Sequence, residues 1–180
     1  YAFLLESVDH AGSLGQYSFI GANPSVVFKS KGKEIMLRKD GTTRQYTADD
    51  PLSDLRALMK GYNPVKIPGV PIFHGGAVGY LSYDQVRFFE RLPDKNPDVL
   101  GLPDLYFMIT DTILIFNHVR NKIQIVSNVH VQDNPDAAYN EGIRKIGELA
   151  DKLRGPLSVS TERMHSQSGA EPLESNFTRE

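Results

Sequence analysis

The sequence predicts an α+β fold, rich in strands and carrying two helices. Three observations predict it. Apolar and polar residues alternate with a period of two through many short segments, the mark of half-buried strands. Two segments, opening at Asp50-Pro51 and Asn134-Pro135, instead repeat Leu, Ile and Met at helical spacing behind a capping residue. The 180 residues, 40% hydrophobic and 23% charged, have the composition of a soluble globular domain with a substantial core.

The first strand alternates Tyr1, Phe3, Leu5 and Ser7 with Ala2, Leu4 and Glu6, so Glu6 and Ser7 should point to opposite faces. The second alternates Tyr17, Phe19 and Gly21 with Gln16, Ser18 and Ile20. Between them, residues 8–15 have the Gly, Ser and Asp content of a surface loop. Each strand thus brings a serine to its junction with one shared loop. A few polar groups beside an apolar surface is how small-molecule sites are often built. The same serines also fit a plainer role, ending strands and capping the loop.

Ser25–Lys29 and Glu34–Arg38, joined through Gly32, read as a hairpin, and Asp40-Gly41 turns the chain into a further strand near Thr42–Tyr46. The first helix has Asp50 as cap, Pro51 at its first position, a Leu52/Leu55/Leu58-Met59 stripe and Gly61 as terminator. Pro64, Pro68 and Pro71 make the next stretch an extended connector. Ile72–Tyr83 is β-like, and its three glycines signal a bulge or the close approach of another backbone or a ligand. The Lys and Ser/Thr of a phosphate loop are absent there.

Gln85–Asp98 reads as a loop with one helical turn near Gln85–Glu90. Leu105–Asn117 reads as the longest strand, apolar on both faces and therefore sandwiched between layers, with Asp111 as a hydrogen-bond acceptor inside it. Ile123–Val129 returns as its partner. The second helix starts at Asn134-Pro135, carries Tyr139, Ile143, Ile146, Leu149-Ala150 and Leu153 as its stripe, and ends before Gly155. From Pro156 the Ser- and Thr-rich sequence reads as a linker.

The net charge of −2 offers no basic face for nucleic acid. There is no cysteine, hence no disulfide or thiolate chemistry, which fits a cytoplasmic protein. No run is long and apolar enough for a membrane span, and no signal peptide is visible. The strand-like start at Tyr1, without Met, and the further element opening at Asn176 read as a piece cut from a longer protein. His10, His74, His118, His130 and His165 are spaced so that no metal site is expected, and no Ser/His/acid order or paired carboxylates suggest catalysis.

Leu4-Leu5-Glu6-Ser7, ten residues, then Ser18 resembles the feedback-inhibitor motif of the anthranilate synthase component I family, chorismate-using enzymes of tryptophan synthesis. The resemblance continues through Tyr17–Gly21, Asn23-Pro24, Gly75–Asp84, Leu92-Pro93, Leu102-Pro103-Asp104 and Thr110-Asp111-Thr112, covering roughly residues 1 to 155. Gln16 stands where relatives usually carry Arg.

The resemblance implies an α+β fold of two packed, largely antiparallel sheets with flanking helices. It implies a regulatory domain over 1–155, a linker over 156–175, and the start of a chorismate-binding catalytic domain at 176–180. It implies that the intact protein, a carbon–oxygen lyase, converts chorismate and glutamine-derived ammonia to anthranilate and pyruvate with Mg²⁺, beside a glutamine amidotransferase subunit, component II. All of that chemistry would reside in the catalytic domain, so this part alone is expected to be inactive and to hold no cofactor. Its own ligand would be L-tryptophan, acting as inhibitor, with Ser7, Glu6, Leu5, Tyr17 and Ser18 as candidate contacts. Two other readings stay open: the structural N-terminal domain of an aminodeoxychorismate synthase component I-like enzyme, and an unrelated binding domain.

Overall fold

The computed structural model describes residues 1–6, 15–93 and 95–156. Their strands form two antiparallel sheets. A four-stranded sheet has the order β1-β2-β8-β9, and a five-stranded sheet the order β5-β4-β3-β7-β6. The strands are β1 (Ala2–Glu6), β2 (Tyr17–Ala22), β3 (Val26–Lys31), β4 (Glu34–Lys39), β5 (Thr42–Thr47), β6 (Ala77–Leu81), β7 (Leu105–Ile109), β8 (Thr112–Asn117) and β9 (Lys122–Ser127). Two helices, α1 (Pro51–Met59) and α2 (Pro135–Arg154), complete the architecture, with a 3₁₀ helix at Tyr83–Phe88.

The hairpin β3–β4 turns at Gly32 and β4–β5 at Asp40-Gly41, both glycines in the left-handed region where a side chain would be strained. In α1, the Asp50 carboxylate accepts from the Leu52 and Ser53 amides, satisfying two of the donors that a helix start leaves open. The apolar stripe of α1 then seals one face of the five-stranded sheet: Leu55 joins Phe28, Ile35 and Leu105 in the buried core, with Leu37, Leu52, Leu58 and Phe107 packed around them. Each such side chain contributes roughly 1.5–3 kcal/mol when fully buried.

Gly79 shows what the glycine-rich stretch is for. A Cβ on it would overlap the Tyr106 carbonyl oxygen and Phe107 Cα, so β6 lies against β7 at a distance no other residue permits. The close approach expected from the sequence is therefore to backbone.

One expected element is corrected. Residues 105–117 are two strands, not one. β7 pairs with β3 and β6, whereas β8 pairs with β2 and β9 in the other sheet. The chain changes sheets at Thr110-Asp111, and Asp111 sits at this crossover, about one-third exposed instead of buried mid-strand. Both halves look doubly apolar because each lies in a covered part of its own sheet: Leu105, Ile113 and Ile115 are fully buried. Helix α2 runs against β9, and the side-chain-free Gly142 faces Val129, just beyond that strand. Tyr139, Ile143 and Leu153 of its apolar stripe remain exposed.

Candidate functional site

The pairing of β1 with β2 sets Glu6 opposite Ser18 and Leu5 opposite Phe19. The rows extend across the sheet, because Ser18 opposes Phe116 and Phe116 opposes Ile123. Glu6, Ser18, Phe116 and Ile123 therefore form one cross-strand row on a single face, with Leu4, Ile20, Leu114 and Ile125 as the row beside it. The result is a polar end, made of an acid and a hydroxyl, next to an apolar floor. Leu4 and Ile123 leave that floor open, at 56% and 54% exposure.

Leu5 and Tyr17 fall on the opposite face by the same alternation. There Tyr17 lies beside Phe19, which meets the edge of Phe73 from the Pro-rich connector at 5.0 Å. The candidate residues thus separate into two pairs, Glu6 with Ser18 and Leu5 with Tyr17, that approach each other only at the rim where β1 ends and β2 begins. Ser7 lies outside the described residues.

The polar end contains a member that sequence reasoning passed over. Ser18 is only 6% exposed, and its Oγ lies 2.7 Å from His118 Nε2 and 3.5 Å from Glu6 Oε1. His118 is carried there by backbone chemistry. Its amide donates to the Gln16 carbonyl, extending the β2–β8 ladder by one step, and Asn117 Oδ1 then accepts from the Arg120 amide to turn the chain. Ser18 and His118 are 100 residues apart in sequence, and only the pairing of β2 with β8 reveals the contact.

This trio is not a hydrolytic triad. In a triad the acid orients the far nitrogen of the imidazole, which can then take the serine proton. Here Glu6 approaches the serine, so the order is acid–serine–histidine. It is a hydrogen-bonded cluster at the end of the sheet.

Asp111, His74 and His130 belong elsewhere. Asp111 Oδ1 accepts from Ser25 Oγ at 2.7 Å, and Lys145 Nζ stands 3.6 Å from its other oxygen. The His74 carbonyl accepts from Asn128 Nδ2 at 2.7 Å, a contact that fixes the start of the glycine-rich segment. Among the described residues no three His, Asp or Glu side chains converge in a way that would hold a metal ion. A recess of about 430 Å³ opens on the five-stranded sheet between Lys31, Glu34, Gln45 and Gly101, and none of the candidate site residues lines it. No described helix is long and apolar enough to cross a membrane.

The model of a family described as chorismate binding enzyme matches residues 1–180. The chain belongs to the chorismate-binding enzyme family. Within it, the chain is 39% identical over 145 residues to anthranilate synthase component 1 of Acetivibrio thermocellus, a match covering 80% of this chain and 29% of that protein. It is 33% identical over 184 residues to anthranilate synthase component 1 of Pseudomonas putida, covering 99% and 37% respectively. Its fold resembles the crystal structure of anthranilate synthase component I from Streptococcus pneumoniae TIGR4, with a TM-score of 0.60 and 22% identity over 84% of this chain and 32% of that one. The chain thus spans about a third of the length of these family members.

Proposed function

We propose that this chain is the tryptophan-sensing part of a longer anthranilate synthase component I, a carbon–oxygen lyase. The whole protein would convert chorismate and ammonia to anthranilate and pyruvate, with the ammonia delivered from glutamine by a component II partner. Family membership and the names of the relatives support that reading of the whole. The described residues do not fit the Mg²⁺ that this chemistry calls for, since no carboxylate cluster is present among them. We assign the chemistry, and the metal with it, to the remainder of the longer protein, as the family resemblance implies, and expect this part alone to turn over no chorismate.

The observation that carries the sensing role is the cross-strand row Glu6–Ser18–Phe116. A free aromatic amino acid needs an acceptor for its ammonium and an apolar surface for its ring. Glu6 and the Ser18 hydroxyl offer the first, and Phe116 with Ile20 and Leu4 the second, all on one face. Ser7, next in sequence to Glu6, is the further hydroxyl assigned to the ligand on the strength of the family motif. Leu5 and Tyr17 support the strands from the other face and border the rim. Inhibition further requires that the ligand touch an element that differs between active and inhibited states, so the remaining walls come from the catalytic part.

Losing one hydrogen bond to a charged ligand group costs about 1.5–3 kcal/mol, roughly ten- to a hundredfold in affinity. The full-length protein carrying Ser7→Ala should therefore keep its anthranilate-forming activity while tolerating far more tryptophan. Unchanged inhibition in that variant would remove Ser7 from the site, and a wild-type protein indifferent to tryptophan would remove the sensing role.

A further inference from the structure

We propose that His118 is a positioning residue whose protonation controls the acceptors of this site, so that the ligand ammonium and a proton on His118 compete for Glu6 and Ser18. The inference rests on the amino-acid-sensing role proposed above and adds a regulator to it.

The argument starts from the donors each group has. A serine hydroxyl carries one proton and two lone pairs. A neutral imidazole can present a bare lone pair at Nε2, and at 2.7 Å Ser18 Oγ–H then donates to it. In that state His118 takes up neither lone pair of Ser18, and the Glu6 carboxylate, 3.5 Å away, is free to accept from a ligand. An imidazolium has a proton on both nitrogens, so this arrangement is lost. Nε2–H must donate to Ser18 Oγ, and the serine proton is turned toward Glu6 Oε1. One polarised chain then runs from cation through hydroxyl to carboxylate across three neighbouring elements. It occupies Glu6, spends a lone pair of Ser18 and places a positive charge where the ligand brings its own.

The charged surroundings are few. Glu6 is the ionisable side chain on β1 that shares this face, and β2 contributes none. Lys122 on β9 opposes Asn117 and so lies on the other face, and Arg120 stands in the turn directly after His118. Asp9 and His10 lie outside the described residues.

The sign follows from linkage. A cationic ligand group at Glu6 disfavours the imidazolium, so the bound state carries fewer protons than the free state, and affinity must rise with pH as His118 loses its charge. Histidine is the side chain that changes charge near neutrality.

The test is calorimetric titration of the full-length protein with L-tryptophan between about pH 6 and pH 8, in wild type, His118→Gln and His118→Lys. Because His118 bonds the buried Ser18 hydroxyl, the melting temperature of each variant is measured alongside, and affinities are compared below the lowest of them. Wild-type affinity should rise about tenfold over that range. His118→Gln, which cannot titrate, should be flat and near the high-pH value, and His118→Lys flat and near the low-pH value. A wild type with no pH dependence, or a His118→Gln variant that keeps the full slope, would overturn the competition while leaving the sensing site standing. Absence of tryptophan binding at every pH would overturn both together, and the two failures are therefore distinguishable.

Discussion

Ser25 Oγ donates to Asp111 Oδ1 across 2.7 Å, joining the residue just before β3 to the point where the chain leaves the five-stranded sheet for the four-stranded one. Lys145 of α2 stands against the same carboxylate, so one side chain ties together the crossover, the start of a strand and the second helix. Removing the acceptor leaves Ser25 Oγ to the Ile109 carbonyl, 3.2 Å away, and Lys145 Nζ to Glu141, 3.8 Å away. Asp111→Ala should therefore destabilise the chain by about 1–3 kcal/mol in urea unfolding, and Ser25→Ala by less. The two losses should not add in the double variant, because each breaks the same bond. Full additivity would show that the pair is not coupled.

The α1 cap predicts a pH dependence of known sign. The Ser53 hydroxyl holds the Asp50 carboxyl below its ordinary value, partial burial opposes this, and the Ser53 and Leu52 amides with Arg56 add to the lowering. A carboxylate depressed in the folded state stabilises above its unfolded pKa, and that contribution fades as pH falls through the folded one. Asp50→Ala should cost about 1 kcal/mol at neutral pH. The gap between variant and wild type should close as urea curves are taken from pH 5 to below pH 3. Asp50→Asn, still a good cap, should lose less and show no such closing.

Gly79 permits a sharper test of the β6–β7 contact. The clash of an added methyl is with backbone, which cannot rotate away as a side chain would. Gly79→Ala should destabilise by ~3 kcal/mol or prevent folding, whereas Gly147→Ala, on open helix surface, should be neutral or mildly stabilising. Equal melting temperatures for the two variants would show that the strands can separate without cost.

Much of this fold was legible in local sequence. Asp50-Pro51 and Asn134-Pro135 announce both helix starts because a cap acts within three residues, and both asparagine and aspartate caps are seen accepting those amides. The Asp40-Gly41 turn is equally local. What failed was whatever depends on partners far along the chain. Thr110-Asp111 looked like the middle of one strand, since apolar residues continue on both sides and nothing local marks a change of sheet. His118 looked like an isolated histidine beside a turn, because its contact with Ser18 exists only once β2 and β8 pair. The alternation separated Leu5 from Glu6 and Tyr17 from Ser18, yet which residues share a face across the strands could not be read without the pairing itself.

That division makes the location of the tryptophan site testable. A ligand of this size does not pass through a sheet, so its ammonium and ring lie on one face unless it wraps the rim. With the ammonium at Glu6 and Ser18, the ring lies over Phe116, Ile20 and Leu4. In the full-length protein, Glu6→Gln should then weaken tryptophan inhibition by about ten- to a hundredfold, because a charged acceptor is replaced by a neutral one. Phe116→Leu, which keeps the floor apolar but removes an aromatic surface, should weaken it about threefold to tenfold, the worth of an aromatic pair. Leu5→Val and Tyr17→Phe, on the face with Phe19 and Phe73, should change the inhibition curve by less than about twofold while lowering thermal stability slightly. If instead the Leu5 and Tyr17 variants lose inhibition and the Glu6 and Phe116 variants keep it, the ring sits against the Phe19–Phe73 pair, and Glu6, Ser18 and His118 serve the strands and not the ligand.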